Sequence, residues 1–422
     1  MDSEMVNFEL LDGPGGIPIY FQSLPVKTVS VYWLVFTGSA DDDDVGAHGI
    51  YHWFEHLPSR GTERYPGGYR DTEARLVRYG GDASAETGYN YTAYSAYVPK
   101  RVWTDAFDIL TDMIAAPLLR EEDILAEREV IRQEIDEWYS SPFGQSLCEM
   151  PALLWPGHPL GHDQLGSHES LDSISPELLR KAHEKGYSRS RCVLMVAGNL
   201  TKEEVLEEVA QRVDRLPDVP LETRRAPVHY GPLPAWRPGD TTVINTGHDD
   251  SIVYMLFPMP TIEESGDDFL RITLLDNLIT AGNLGSPLNR IVRERSQLAY
   301  APGVTLSLSP DGGYWGLVAQ TNSDRHQAVA DTFWEVIGGE EIRSPDWFEY
   351  MRDTVRGEIE MHDPCPDDYT EAASERLTFH GKAWSDKEYL NKLMSISRDE
   401  LIGYLDSFTR DMSRTIVFAG ES

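Results

Sequence analysis

The chain has 422 residues, enough for two to four domains with sizeable buried cores. Its 70 acidic residues against 37 basic ones leave a formal net charge of −33, which argues against a general nucleic-acid binder and against a protein held on anionic lipid, since both need a basic surface. Hydrophobic residues at 41% and charged residues at 25% are ordinary for a folded, soluble protein, and no apolar run approaches the ~20 residues that span a bilayer. Residues 1–12 lack the basic and then apolar order of a signal peptide. Cys148, Cys192 and Cys365 are too scattered for a disulfide framework or a CxxC zinc site. The expectation is a cytoplasmic protein with reduced thiols.

Along the chain, residues 31–36 (VYWLVF) are β-branched and aromatic and read as a buried strand. His52-Trp53-Phe54-Glu55-His56 follows where the first helix is expected. Histidines at i and i+4 share one helix face and can grip one metal ion, while Glu55 lies close without needing to be a ligand. The order H-x-x-E-H is the inverse of the commoner H-E-x-x-H zincin motif. Catalytic zinc normally takes three protein ligands, so the third must come from elsewhere. Residues 91–98 alternate like a half-buried strand, and 101–115, 121–139, 176–185 and 203–216 have the apolar spacing of helices. The helix 121–139 carries the candidate third ligand. Glu127 and Glu134 are seven apart, two turns on one face, so both can point into a common site, with Val130, Ile131, Ile135 and Trp138 anchoring the helix in the core. On the competing reading the two histidines are surface residues and the acidic helix is a solvated face laced with i,i+4 pairs. The pentapeptide alone leaves both readings open.

The chain also repeats itself. Residues 31–36 are echoed by Val253-Tyr254-Met255-Leu256-Phe257, Ser173-Ile174-Ser175 by Ser395-Ile396-Ser397, and Val196-Ala197-Gly198 by Phe418-Ala419-Gly420, all at an offset of 222. Two homologous halves are therefore expected, 1–215 and 241–422. Between them, residues 216–240 hold Pro217, Pro220, Pro227, Pro232, Pro234 and Pro238 and read as an extended linker. Strands mixed with amphipathic helices give the expected class: α+β, two α/β-sandwich halves with mostly antiparallel sheets and helices packed on one face. At the same offset His52, Glu55 and His56 fall on Leu274, Asn277 and Leu278, so the second half lacks every residue of the pentapeptide.

The segment Gly46-Ala47-His48-Gly49-Ile50-Tyr51-His52-Trp53-Phe54-Glu55-His56, followed by Arg60-Gly61-Thr62, resembles the active-site helix of the pitrilysin/insulinase family of inverted zinc metallopeptidases, in particular its short two-domain branch. The resemblance implies that His52, His56 and Glu134, with 77 residues between His56 and Glu134, bind one zinc ion per chain, and that Glu55 is the general base. It implies that Glu127 supports the site without being a direct ligand. Gly157-His158-Pro159-Leu160-Gly161 and Gly166 are similar to the family segment after the ligand helix. Arg293-Glu294-Arg295-Ser296-Gln297-Leu298-Ala299-Tyr300 resembles its R-x(6)-Y signature, in which Arg293 and Tyr300 would hold the substrate carbonyl and its developing oxyanion. The first half thus resembles the metal-bearing half and the second a substrate-holding one.

One departure stands out. In Gly80-Gly81-Asp82-Ala83-Ser84-Ala85-Glu86-Thr87, a strand that resembles the family's substrate-side strand, Ala85 takes the place of the family Ala, but Ser84 stands where the family has Asn. A hydroxyl cannot donate and accept as an amide does, so substrate positioning at Ser84 is in question. The function implied is a zinc-dependent metalloendopeptidase acting on peptides or unfolded segments inside a dimeric chamber, as a homodimer or as a heterodimer with a related chain. Alternatives are a non-catalytic or partner-dependent subunit, or a protease dedicated to maturing one precursor peptide. An acidic chamber interior would draw basic peptides by long-range steering.

Overall fold

The computed structural model describes residues 8–237, 239–259, 261, 267–361, 365–410 and 413–419; Met1, Pro238 and Gly420 lie outside them. The strand that organises the first sheet is β3 (Thr28–Val35), whose sequence TVSVYWLV is buried on both faces. Val29, Val31, Trp33 and Val35 point into a large core with Phe107, Leu110, Ile131 and Leu179 from the surrounding helices. Tyr32 and Leu34 point the other way, into a second core with Phe36, Val193 and Met195. Period-two alternation with both sides apolar is the pattern of a strand covered on both faces.

Around β3 lie β1 (Glu9–Asp12), β2 (Pro18–Ser23), β4 (Asp82–Thr87), β5 (Thr92–Pro99) and β6 (Cys192–Gly198), in the order β1-β2-β6-β3-β5-β4. The second sheet holds β7 (Thr241–Asn245), β8 (Asp250–Met259), β9 (Gly303–Ser309), β10 (Gly312–Asn322) and β11 (Arg414–Ala419), in the order β7-β11-β8-β10-β9. In the first sheet only β2 and β6 run parallel, and in the second only β7 and β11. Without β1 the two sheets have the same order and the same directions, so the 222-residue echo in the sequence is an echo of topology. The paired serine segments also do the same work. Ser175 accepts from Leu178 N at the start of helix Pro176–Gly186, and Ser397 accepts from Glu400 N at the start of helix Arg398–Thr409.

The chain forms two compact units that do not follow its two halves. One takes in residues up to 136, 157–230 and 363–385, and the other 137–156, 231–362 and those from 386 on. Helix Pro366–His380, from the second half, packs on β3 and β6, where Ala373 and Leu377 complete the core around Tyr32 and Leu34. Ser30 Oγ also meets Thr370 Oγ1 at 2.7 Å. Helix Pro142–Leu154, from the first half, packs on β8, and Arg414 Nη1 donates to Leu153 O at 3.1 Å. Each sheet thus carries a helix on the face away from its main helical layer, because strands apolar on both sides leave neither face fit for water.

Residues 217–240 contain no helix or strand among those described. As far as Tyr230 they are fastened to the first unit. Arg189 N donates to Pro217 O (2.8 Å), Ser188 Oγ to Val219 O (2.9 Å) and Tyr230 Oη to Asp41 Oδ2 (3.2 Å), while Arg224 pairs with the buried Asp41. The segment is extended as the prolines require, but most of it is a strap and not a free tether.

One expectation fails. In helix Glu121–Tyr139 the buried stripe is Ile124, Glu127, Ile131 and Ile135, whereas Val130 and Trp138 are each 41% exposed. A 3.6-residue period through Glu127, Ile131 and Ile135 misses Val130, whereas Trp138, seven residues after Ile131, is in phase with it but stands exposed in the last turn of the helix.

The helix on the second face of the first sheet yields a test. Leu377→Ala should destabilise the chain by ~2–4 kcal/mol in urea unfolding, as for a buried leucine, while Val243→Ala on the exposed side of β7 should change it by less than ~1 kcal/mol. A cost for Leu377→Ala no larger than that for Val243→Ala would mean the helix is not docked on this sheet.

Candidate metal centre

All the residues of the centre belong to the first unit. Helix Ile50–His56 buries Ile50, Trp53, Phe54 and the following Leu57 in the core at 1% exposure or less. That phase leaves His52, Glu55 and His56 on the opposite face, turned toward helix Glu121–Tyr139 and the end of β4. Ligand atoms of His52, His56 and Glu134 lie within 4.8 Å of one another, the one group of three or more His, Cys, Asp or Glu so arranged among the described residues. His52 Nε2 stands 3.7 Å from Glu134 Oε1, and His56 Nε2 3.9 Å from Glu134 Oε2. These gaps are too long for hydrogen bonds. They are close to the ~3.3 Å edge of a tetrahedron with metal–ligand bonds of ~2 Å.

Protonation fits the same use. Burial, reinforced by the neighbouring His56, pushes the His52 imidazole down to about 3, so it is neutral as a metal ligand must be. His56 is held from behind, its Nδ1 lying 2.9 Å from Glu127 Oε1. Glu127 is on the core stripe of its helix with its side chain 1% exposed, and its other oxygen takes Arg60 Nε. Burial works against this carboxylate, but His56 and Arg60 outweigh it and hold Glu127 below its usual range. A carboxylate on the outer nitrogen of a ligand histidine fixes the ring's tautomer and orientation. Imidazole and carboxylate donors, two His and one Glu, suit zinc.

Glu55 is 8% exposed, and its Oε2 accepts from Thr87 Oγ1 at 2.6 Å. Burial raises its carboxyl to about 7, although the Thr87 hydroxyl and His56 pull it down. Arg60 and Thr87 had no role assigned from the sequence. Arg60 is at i+4 from His56, a local signal, whereas Thr87 reaches Glu55 only through the pairing of the fold.

The family model described as Insulinase (Peptidase family M16) matches residues 19–161, and the one described as Peptidase M16 inactive domain matches residues 173–341. The chain belongs to the pitrilysin/insulinase family. A chain named as a zinc protease in Rickettsia bellii is 24% identical over 94% of this chain and 93% of its own length. Among solved structures, a protease from Helicobacter pylori superposes with a TM-score of 0.88 at 16% identity, covering 98% of this chain and 99% of that one. Pitrilysin superposes with a TM-score of 0.73 at 17% identity over all of this chain, which spans 45% of pitrilysin.

The part of the chain matched by the family's inactive-domain model includes the helix Asp267–Thr280, where Leu274 and Leu278, in the places of His52 and His56, are fully buried. Arg293 and Tyr300 belong to the second unit. Arg293 sits in a wide helical segment, Asn289–Arg295, with Ser296 N donating to Ile291 O. Its guanidinium lies 4.4 Å from the centre of the Tyr300 ring, which is 78% exposed. Both line a cleft of ≈ 590 Å³ with Gln320, Asn322 and Arg325. Ser84 and Ala85 lie on β4, the edge strand of the first sheet, with Ser84 on its exposed face and Ala85 and Thr87 turned inward. No described helix is long and apolar enough to cross a membrane.

Burial of Glu55 has a consequence for the metal-free chain. A carboxyl raised from ~4.5 to about 7 contributes stability that is full below pH ~4.5 and is lost as the pH rises through 7. Glu55→Gln should therefore stabilise the chelator-treated chain by on the order of 2 kcal/mol at pH 8 and by nothing at pH 4. Equal urea midpoints for the two chains at pH 8 would contradict the buried placement.

Proposed function

We propose that the chain is a zinc metalloendopeptidase that hydrolyses peptides or unfolded segments, with His52, His56 and Glu134 as the metal ligands. The observation that carries this reading is the convergence of the three ligand side chains beside Glu55, a buried carboxyl with one oxygen engaged by Thr87. Zinc held there would supply Lewis-acid polarisation of the scissile carbonyl and a more acidic water. Thr87 fixes Oε2 of Glu55 and leaves Oε1 to take the water proton and hand it to the leaving amine nitrogen. Glu127 holds the His56 ring by its Nδ1, with Arg60 balancing its charge. The substrate backbone would lie along the open edge of β4 beside Ser84 and Ala85, as extended peptides add to sheet edges. Arg293 and Tyr300 would donate to the developing oxyanion.

The chain spans 45% of pitrilysin, which supports a working enzyme of two such chains. A homodimer is the simpler form because one sequence holds both H-x-x-E-H and R-x(6)-Y. Ser84 in the family Asn place favours a second reading, in which a related partner chain supplies the missing substrate contact. Broad cleavage of a mixed peptide library by the pure chain supports the homodimer; silence despite bound zinc supports the partner.

Glu55→Gln should keep one zinc per chain by metal analysis and lose ~10²–10⁴-fold in peptide hydrolysis. Full hydrolysis by that variant would remove Glu55 from the mechanism, and full zinc content in His52→Ala would remove the metal site. Tyr300→Phe should lower kcat by ~10²–10³ with zinc unchanged. Light scattering on the pure chain should give twice the 47.6 kDa of one chain, and a monomer at all concentrations would contradict self-assembly.

A further inference from the structure

The helix that carries His52, Glu55 and His56 has only seven residues, so most of its backbone N–H groups fall in the first turn, where the helix itself offers no acceptor. One side chain from outside the helix takes two of the N–H groups at its start, that of the N-cap Gly49 and that of Tyr51. Asp42, fully buried, accepts from Gly49 N through Oδ2 at 2.6 Å and from Tyr51 N through Oδ1 at 3.3 Å.

A buried carboxylate needs a partner of its own, and His162 supplies it. His162 Nε2 lies 2.9 Å from Ser39 O and 3.3 Å from Asp42 Oδ2. Both neighbours are acceptors, so this nitrogen carries the hydrogen. The His162 ring is 7% exposed and stacks on His48, with centroids 4.1 Å apart and planes 9° from parallel, and His48 Nε2 in turn meets Asp43 Oδ1 at 3.0 Å. The backbone on either side is equally close. A Cβ on Gly49 would meet Leu165 O at 2.5 Å, and one on Gly166 would meet His48 O at 2.7 Å, and both glycines have positive φ. The loop 162–166 is therefore seated directly on the entry to the metal helix. Neither Asp42 nor His162 touches a proposed metal ligand side chain.

We propose that Asp42 is a positioning residue that sets how the metal helix presents His52 and His56, and that His162 holds Asp42 in that place. The proposal rests on the reading of His52, His56 and Glu134 as the metal ligands. With Asp42 removed, the first turn would seek water and the spacing between the two imidazoles and Glu134 would loosen. Zinc affinity and ligand-field geometry should then fall together.

The test uses the full chain, stripped of metal and titrated with zinc against a chromophoric chelator, with cobalt(II) as the spectroscopic probe. Asp42→Ala should weaken zinc binding by ~10–100-fold and His162→Ala by ~10-fold, the range seen when groups behind metal ligands are lost. Both should change the intensity of the cobalt d–d bands. His162→Gln, whose amide can reach the same acceptors, should recover near-parental affinity and spectrum. Leu377→Ala, destabilised away from the site, should bind zinc as the parent does, which separates positioning from general loss of stability. Parental zinc affinity and cobalt spectrum in His162→Ala and Asp42→Ala would overturn the proposal, and so would failure of His162→Gln to recover either; should Asp42→Ala not fold, the His162 pair decides. Parental zinc affinity in His52→Ala would overturn the metal reading and this proposal with it, whereas loss there with no effect at His162 would overturn the positioning role alone.

Discussion

A carboxylate buried to 1% exposure cannot be left alone, and Glu127 draws two groups to it from the segment beginning at Ile50. His56 comes to one of its oxygens and Arg60, one turn later, to the other. The helix bearing Glu127 is thereby locked against the helix bearing the histidines, at the phase that also brings Glu134 opposite their Nε2 atoms. Ile124, Ile131 and Ile135 supply the apolar part of the same stripe, so the polar contact and the core contact enforce one geometry.

The two sheets place this centre in an instructive contrast. Apart from β1 they share strand order and direction, but the second lacks the His52, Glu55 and His56 pattern. Where the helix Ile50–His56 has His52 and His56, the helix Asp267–Thr280 has leucines sunk in its core. The positions that in one half face a carboxylate are held by buried leucines in the other. The second unit instead presents Arg293 from the helical segment Asn289–Arg295 and Tyr300 from the stretch that leads to its edge strand β9.

Much of this was legible in the chain itself. H-x-x-E-H and the Glu127–Glu134 spacing are local patterns, and the fold gathers His52, His56 and Glu134 at one place. The repeat was legible because two sheets of one topology keep nearly one spacing between matching strands. Val130 was misjudged because it is hydrophobic, when the buried stripe ran through Glu127, and Trp138 because it lies on that stripe but in the exposed last turn. Thr87 and His162 left no mark, since each acts on a partner far away in sequence, and Asp42, only seven residues from Gly49, was one acid in a run of four with nothing to single it out. The exchange of helices was hidden for a related reason: an amphipathic helix records that it covers a sheet, and nothing in it says which one.

That exchange has a consequence for how the chain comes into being. The first sheet is not covered on both faces until the helix Pro366–His380 has been made. During synthesis the unit that holds the proposed metal ligands must therefore wait, with Tyr32 and Leu34 open to water, until most of the other unit has left the ribosome. Neither half is a module that could be finished early or moved alone. The polypeptide has to be made as far as His380 before the unit with the proposed metal ligands can close.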